Sequence, residues 1–154
     1  MRKTIIALTV LMFFVGSGLK AQMNESSSYT TAVGLKFAPG AITVKHFIND
    51  GAAIEGIGYF WNEGFRITGL YEFHHDISGA PGLKWYIGPG AHVGFYNSNY
   101  YGGGTSIGID GVLGLDYKFR GAPINLSLDW QPSYEFGSYV GFSGWGGLGV
   151  RYAF

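Results

Sequence analysis

The chain has 154 residues with ten basic and ten acidic side chains, so its formal net charge is zero. This length predicts one domain, and balanced charge without a basic patch argues against a nucleic-acid partner. Charged residues make up only 13% of the chain, against about 25% in soluble domains. The composition, which includes 27 glycines and 18% aromatic residues, therefore predicts that something other than water covers part of the surface.

Residues 1–21 have the order of a secretory signal peptide. Arg2 and Lys3 precede the apolar run TIIALTVLMFFV, and small residues follow before Ala21. The run is too short to span a bilayer as a helix, which needs about 20 residues. We predict cleavage after Ala21 and a short polar lead over residues 22–28. Because cysteine is absent, the exported chain has to fold without disulfides.

From Tyr29 onward, apolar and polar residues alternate with a period of two, which predicts β-strands. The clearest stretches are SIGIDGVLGLDYKF and INLSLDWQPSYEF, and turn signals rich in glycine, proline and asparagine separate the strands. The predicted strands cover residues 29–37, 41–48, 52–60, 65–75, 83–96, 106–119, 124–136 and 144–154. An even number of hairpin-connected strands lets the last pair with the first. The predicted fold is all-β: a closed antiparallel up-and-down eight-stranded transmembrane β-barrel over residues 29–154.

One face of these strands collects charge and glycine. Its charged residues, six of each sign, are Lys36, Lys45, Glu55, Arg66, Glu72, Lys84, Asp110, Asp116, Lys118, Asp129, Glu135 and Arg151. Its glycines are Gly34, Gly88, Gly90, Gly94, Gly108, Gly114, Gly147 and Gly149. Paired charges suit an enclosed interior, and glycines there make room for large side chains such as Tyr86 and Trp145. We therefore predict that this face lines the lumen.

The other face is almost free of charge and carries phenylalanine near the strand ends. These residues are Phe37, Phe60, Phe65, Phe73, Phe95, Phe119, Phe136 and Phe154. Membrane barrels place aromatic girdles at the same positions. The pattern favours a membrane barrel over a soluble, lipocalin-like barrel, which remains the alternative.

Three places break the alternation. Ile57 and Tyr59 share the phase of Glu55, which predicts a bulge or a mixed interior in the third strand. His46 falls on the outward face of the second strand. Pro89 lies within the fifth strand and cannot donate to the ladder, so we expect a local distortion there.

The chain ends in GGLGVRYAF, with Leu148, Val150, Tyr152 and Phe154 at alternate positions on the apolar face. Here it resembles the small eight-stranded outer-membrane proteins of Gram-negative bacteria, the class of outer-membrane protein X and the membrane domain of outer-membrane protein A. The resemblance implies a place in the cell outer membrane and contact with outer-membrane lipid and lipopolysaccharide. It also implies that the barrel-assembly machinery reads Phe154.

The same resemblance implies an orientation. Both termini and the turns at 49–51, 78–82 and 120–123 would face the periplasm. The loops at 38–40, 61–64, 97–105 and 137–143 would face outward, and they are short for this class. Short loops argue against a large surface-recognition platform.

An eight-stranded barrel has an interior just wide enough for side chains to fill. We therefore expect a non-enzymatic barrel with a packed polar lumen and a structural or envelope and surface-interaction role, with no catalytic residue, cofactor or metal. Neighbouring strand residues point to opposite faces, so His74 and His75 cannot easily share one metal ion. Both are expected as polar residues at the periplasmic rim. His92 is expected in the polar interior.

Two other functions stay open. One is a narrow pore for ions or small solutes. The other is a lipid A-modifying enzyme, which would need His92 within hydrogen-bond reach of Ser98 or Ser106, and nothing in the sequence places them so. In the longest loop, Tyr100 and Tyr101 are expected at the lipid headgroup level, with contact to carbohydrate or protein as the alternative.

Overall fold

The computed structural model describes residues 29–97, 103–137 and 140–154. The predicted signal peptide, the polar lead, Ser98, Tyr100 and Tyr101 lie outside the described residues. Within the described ranges, no helix is long and apolar enough to cross a membrane.

Eight strands follow one another along the chain: β1 (Thr31–Phe37), β2 (Ala41–Asn49), β3 (Ala52–Trp61), β4 (Gly64–Asp76), β5 (Leu83–Tyr96), β6 (Gly104–Lys118), β7 (Ile124–Gly137) and β8 (Gly141–Ala153). Each strand pairs antiparallel with the next. β8 also pairs with β1, from Ala153 opposite Ala32 to Leu148 opposite Phe37, so the sheet closes on itself. The predicted closed, up-and-down, eight-stranded barrel is confirmed.

The barrel has two different ends. The terminal end carries Phe154 and the turns that follow β2, β4 and β6, whereas the loop end carries residues 38–40 and 62–63. The amides of Thr30 and Thr31 donate to the Phe154 carbonyl at 3.2 and 2.9 Å, and the Phe154 amide donates to Thr31 at 2.8 Å. The last residue is therefore tied into the ladder, and both ends of the barrel wall are on one side.

Two strands begin earlier than the alternation predicts. Gly104 pairs with Tyr96, and Gly141 pairs with Glu135, so β6 and β8 extend into stretches assigned to loops. Glycine is neither a polar nor an apolar side chain, so it gives no alternation from which a strand could be predicted. The hydrogen-bonded ladder nevertheless continues through these glycines.

Proline interrupts two ladders without shifting their register. Between β4 and β5 the pairs jump from Leu70–Gly90 to Phe73–Ile87, which confirms the distortion expected at Pro89. A matching gap between β6 and β7, which was not predicted, lies at Pro132. Each proline faces outward and lacks the amide that would bond to the neighbouring strand.

The third strand has the mixed interior predicted for it. Ile57 and Tyr59 are buried together with Glu55. The irregularity in register lies on the neighbouring strand instead, between Phe47 and Asn49 of β2.

The polarity of the barrel is the reverse of that in a water-soluble domain. In the described part of the chain, twenty polar or charged residues are buried against ten hydrophobic ones, and thirty large hydrophobic side chains are exposed. All eight predicted girdle phenylalanines are among the exposed residues. The alternation therefore assigned the two faces correctly.

Glycine on the inner face makes room for neighbouring rings. A Cβ atom on Gly114 would lie 2.6 Å from Cζ of Tyr86 and 2.7 Å from Cβ of Asp129. The Tyr86 ring thus fills the space that Gly114 leaves, as expected from the sequence.

Candidate functional site: the polar interior

Arg151 of β8 is the centre of a buried group near the terminal end. Its Nη2 donates to Oε1 of Glu55, and its Nη1 donates to Oγ of Ser127 at 2.7 Å and to Oδ1 of Asn125 at 3.2 Å. Its Nε donates to Oγ1 of Thr43 at 3.3 Å. One guanidinium group therefore joins β8 to β2, β3 and β7.

Lys45 of β2 is the second cation of this group. Its Nζ lies 2.8 Å from Oε2 of Glu72, 3.5 Å from Oε2 of Glu55 and 3.4 Å from Oδ2 of Asp116. We call Lys45, Glu55, Glu72, Asp116 and Arg151 the terminal cluster. It places two cations among three carboxylates.

Tyr29, just before β1, covers the terminal cluster. Its hydroxyl donates to Oδ2 of Asp116 at 3.1 Å, and its ring meets Phe47 edge-on at 5.0 Å. Burial, together with the Asp116 charge, raises the pKa of Tyr29 well above its usual value. The hydroxyl therefore stays a neutral donor at the entrance to the interior.

His74 lies inside the barrel, which corrects the expectation that both histidines lie at the rim. It is only 4% exposed, its Nε2 is 2.8 Å from Oε2 of Glu72, and its ring stacks on Tyr86 with centroids 4.8 Å apart. β4 continues to Asp76, so the alternation holds at this point. It sends His74 inward and His75 outward, where His75 stacks on Trp85 at 4.5 Å.

The middle of the interior holds one ion pair. Nζ of Lys36 lies 2.7 Å from Oδ1 of Asp129. Asp129 also accepts hydrogen bonds from Tyr86 at Oδ2 (2.7 Å) and from Gln131 at Oδ1 (3.0 Å). Tyr59 donates to Gln131 at 2.8 Å. The apolar residues of this layer are Ala41, Ile57, Leu70 and Val112.

Replacing Lys36 with methionine is expected to lower the free energy of unfolding by about 3 kcal/mol, because it leaves Asp129 without its buried cation. The matched control is Lys84→Met. Lys84 lies at the rim, 3.6 Å from the exposed Asp76, and its loss should cost less than about 1 kcal/mol. Urea unfolding of the refolded protein in micelles, followed by tryptophan fluorescence, measures both. Equal losses would contradict the burial of this ion pair.

A third group lies towards the loop end. Arg66 of β4 donates to Asp110 and lies 3.3 Å from Oε1 of Glu135. Glu135 also accepts hydrogen bonds from Tyr96 at 2.7 Å and from Ser106 at 3.1 Å. We call Arg66, His92, Asp110 and Glu135 the loop-end cluster.

His92 joins the polar interior as expected. Its Nδ1 lies 2.8 Å from Oδ2 of Asp110, and its Nε2 is 4.0 Å from Oε1 of Glu135. This Nε2 atom is buried and has no hydrogen-bond partner within the described ranges. Ser106 donates to Glu135 instead, and Ser98 is outside the described residues.

Aromatic rings cover the loop-end cluster. The ring of Trp145 lies 4.5 Å from Cζ of Arg66 and 5.0 Å from the ring of Tyr59. Trp61 contacts Trp145 at 5.1 Å and Tyr96 at 5.9 Å. These aromatic side chains narrow the interior on the loop-end side of Arg66.

The enclosed charges are not equal in number, which corrects the prediction of six of each sign. Lys84 lies at the rim, and Nζ of Lys118 donates to the carbonyl groups of Phe119 and Ala122 at 2.8 and 2.7 Å. Both lysines are at the terminal ends of their strands, where a long side chain reaches the turn. Lys118 is buried, but its ammonium group is bound to the turn. The cations that meet carboxylates inside are Lys36, Lys45, Arg66 and Arg151, and the buried carboxylates are Glu55, Glu72, Asp110, Asp116, Asp129 and Glu135.

The described part of the interior consists of ion pairs and hydrogen bonds, which bear on two kinds of functional site: a metal site and a nucleophile with its base. In the part of the chain that the structure describes, no three His, Asp or Glu side chains are placed to hold a metal ion. A nucleophile needs a base within hydrogen-bond reach, and within the described residues neither His92 nor Asp110 forms a hydrogen bond with a serine. No protein-family model, curated protein or solved structure matches the chain.

Proposed function

We propose that the chain is an integral β-barrel of the cell outer membrane, without enzymatic activity, whose polar interior is packed with side chains. Its role is structural or lies in envelope and surface interaction. One observation carries the membrane location. The outward positions of the eight strands hold no Asp, Glu, Lys or Arg within the described residues, whereas the charged side chains of the strands are buried, apart from Asp76 and Lys84 at the terminal rim.

The outer face supports contact with lipid. Tilted strands of about 9–11 residues cross a bilayer, and β4 to β8 have 13 to 15 residues each. Two shallow grooves of about 450 and 340 Å³ lie on this face. The larger lies between Trp85 and Trp130 and is lined by leucine. We therefore propose outer-membrane lipid and lipopolysaccharide as the partners of the barrel wall.

The interior supports a filled barrel rather than a pore. Arg66, Arg151, Tyr59, Tyr86 and Gln131 are among the largest side chains that are fully buried. Some of their contacts join strands that are not neighbours in the sheet, as those of Arg151 on β8 with Thr43 on β2 and Glu55 on β3 do. Ions crossing such an interior would have to break buried ion pairs.

The terminal residue supports recognition during assembly. Phe154 is exposed on the outer face and follows Tyr152 and Val150 on that face. In the class that the chain resembles, the barrel-assembly machinery reads a phenylalanine in this position, and we propose the same for Phe154.

A charge placed on the outer face tests the membrane location. Leu113 is outward near the middle of β6, and Leu113→Arg should cost about 2–4 kcal/mol in lipid vesicles, whereas Tyr117→Arg near the terminal end should cost about 0–1 kcal/mol. Urea unfolding from vesicles measures both variants. A water-soluble barrel would tolerate arginine at both positions equally, and that result would contradict the proposal.

A further inference from the structure

The terminal cluster has one negative charge more than it has positive charges when all its carboxyl groups are ionised. Lys45 and Arg151 face Glu55, Glu72 and Asp116, and all five side chains are buried. An uncompensated charge inside a protein costs several kcal/mol. A further positive charge or a bound proton is therefore needed to balance the extra negative charge of the terminal cluster.

Two of the carboxyl groups share one lysine. Nζ of Lys45 lies 2.8 Å from Oε2 of Glu72 and 3.5 Å from Oε2 of Glu55, and the two glutamates are diagonal neighbours on β3 and β4, where Glu72 pairs with Ala53. Oε2 of Glu55 and Oε1 of Glu72 are both buried and form no hydrogen bond in the described part of the chain, since Lys45 is 3.5 Å from the former and binds the other oxygen of Glu72. Two ionised carboxylates have no proton to donate, so they cannot satisfy each other.

We propose that the barrel binds one proton between Glu55 and Glu72, carried on Oε1 of Glu72 and donated to Oε2 of Glu55. This single proton gives both unpartnered oxygens a hydrogen bond. It also leaves two cations and two anions in the cluster. The proposal goes beyond the proposed function and does not depend on the membrane location, because the pair lies in the interior.

The other contacts assign the proton to Glu72 rather than to Glu55. Oε1 of Glu55 accepts hydrogen bonds from Arg151 and Thr43, which favour the charged form of Glu55. Within the residues that the structure describes, the one lysine or arginine paired with Glu72 is Lys45, at 2.8 Å. Its Oε2 is therefore an acceptor for Lys45 and His74, and its Oε1 is free to carry the proton.

His74 is a poorer place for the proton. Its Nδ1 is buried and has no acceptor within the described residues, so an imidazolium ion would leave one N–H without a partner. Its ring lies against Phe47 at 4.7 Å and Tyr86 at 4.8 Å. The titratable and charged groups that interact with the pair from the surrounding elements are Tyr29, Lys36, Lys45, Tyr59, His74, Tyr86 and Arg151, and Asp116 shares Lys45 with it.

Infrared spectroscopy of the folded protein tests the proposal directly. At neutral pH the wild-type barrel should show the C=O stretching band of a buried protonated carboxyl group. The band should be lost in Glu72→Gln and kept in Glu63→Gln, which changes a partly exposed loop carboxyl outside the barrel interior. A spectrum without this band, or a band that persists in Glu72→Gln, would overturn the assignment.

The pH dependence of stability gives a second, independent readout. Unfolded glutamate is ionised above about pH 5, so unfolding at neutral pH would release the bound proton. By linkage, the unfolding equilibrium constant should rise tenfold more per pH unit in the wild type than in Glu72→Gln, which mimics the protonated form. Equal slopes in the two proteins, or a slope without the infrared band, would contradict a proton on Glu72.

Discussion

Arg151→Met is expected to lower the free energy of unfolding by about 5 kcal/mol, the upper end of the cost of breaking a buried ion pair. The guanidinium group is fully buried and donates to Glu55, Asn125, Ser127 and Thr43. Methionine fills much of the volume but donates no hydrogen bond. The variant therefore leaves the buried Glu55 carboxylate without its Arg151 partner and removes a donor from Asn125, Ser127 and Thr43.

Two further variants give this prediction its controls. Arg120 is exposed in the turn between β6 and β7, and Arg120→Met should change stability by less than about 0.5 kcal/mol. Arg151→Met combined with Glu55→Leu should be less destabilised than Arg151→Met alone, because the second change removes the stranded carboxylate. Urea unfolding in micelles measures the three proteins. A loss below about 1 kcal/mol for Arg151→Met would show that water satisfies these acceptors and that the interior is hydrated.

Gly147→Ala is expected to destabilise the seam at which the barrel closes. A Cβ atom at this position would collide with the carbonyl oxygen of Phe37 on β1 and lie 3.2 Å from that of Ala38. Gly147 also has a φ of +136°, a conformation that side chains disfavour. Each cost is on the order of 2 kcal/mol, so the expected total is about 4 kcal/mol.

The matched control for the seam is Gly69→Ala. Gly69 faces outward on β4, and an added Cβ would meet nothing within 4 Å. This variant should stay within about 0.5 kcal/mol of the wild type. The folded fraction on an unheated gel and the urea midpoint report both changes. If alanine at the two positions has the same effect, β1 and β8 do not close as tightly as the structure shows.

The barrel and its two faces were predictable because alternation over a dozen residues leaves little choice of orientation. A one-residue shift would exchange the faces of a whole strand. Leu148, Val150 and Tyr152 illustrate this, since all three are exposed as their positions require. The closed ring followed from the even number of strands.

The charge network was not predictable in the same way. Arg151 and Glu55 are 96 residues apart in sequence and meet across the lumen, where neither alternation nor turn signals carry information about distance. The prediction also counted Lys84 and Lys118 among the charges of the lumen. Both have the inward phase, but they lie where the strands end and their side chains reach the turns. His74 was misplaced for the related reason that β4 extends further than its turn signal suggests. Signal cleavage and the roles of Tyr100 and Tyr101 stay predictions.

Ion conductance across a planar bilayer tests the central claim, a membrane barrel whose interior is filled. The protein should first be refolded in detergent, and its folding verified by a difference in gel mobility between unboiled and boiled samples. The buried contacts of Arg66, Arg151 and Lys36 predict that inserted, folded protein gives no steady conductance. Steady, reproducible conductance from the folded protein would contradict the packed interior and identify the barrel as a narrow channel.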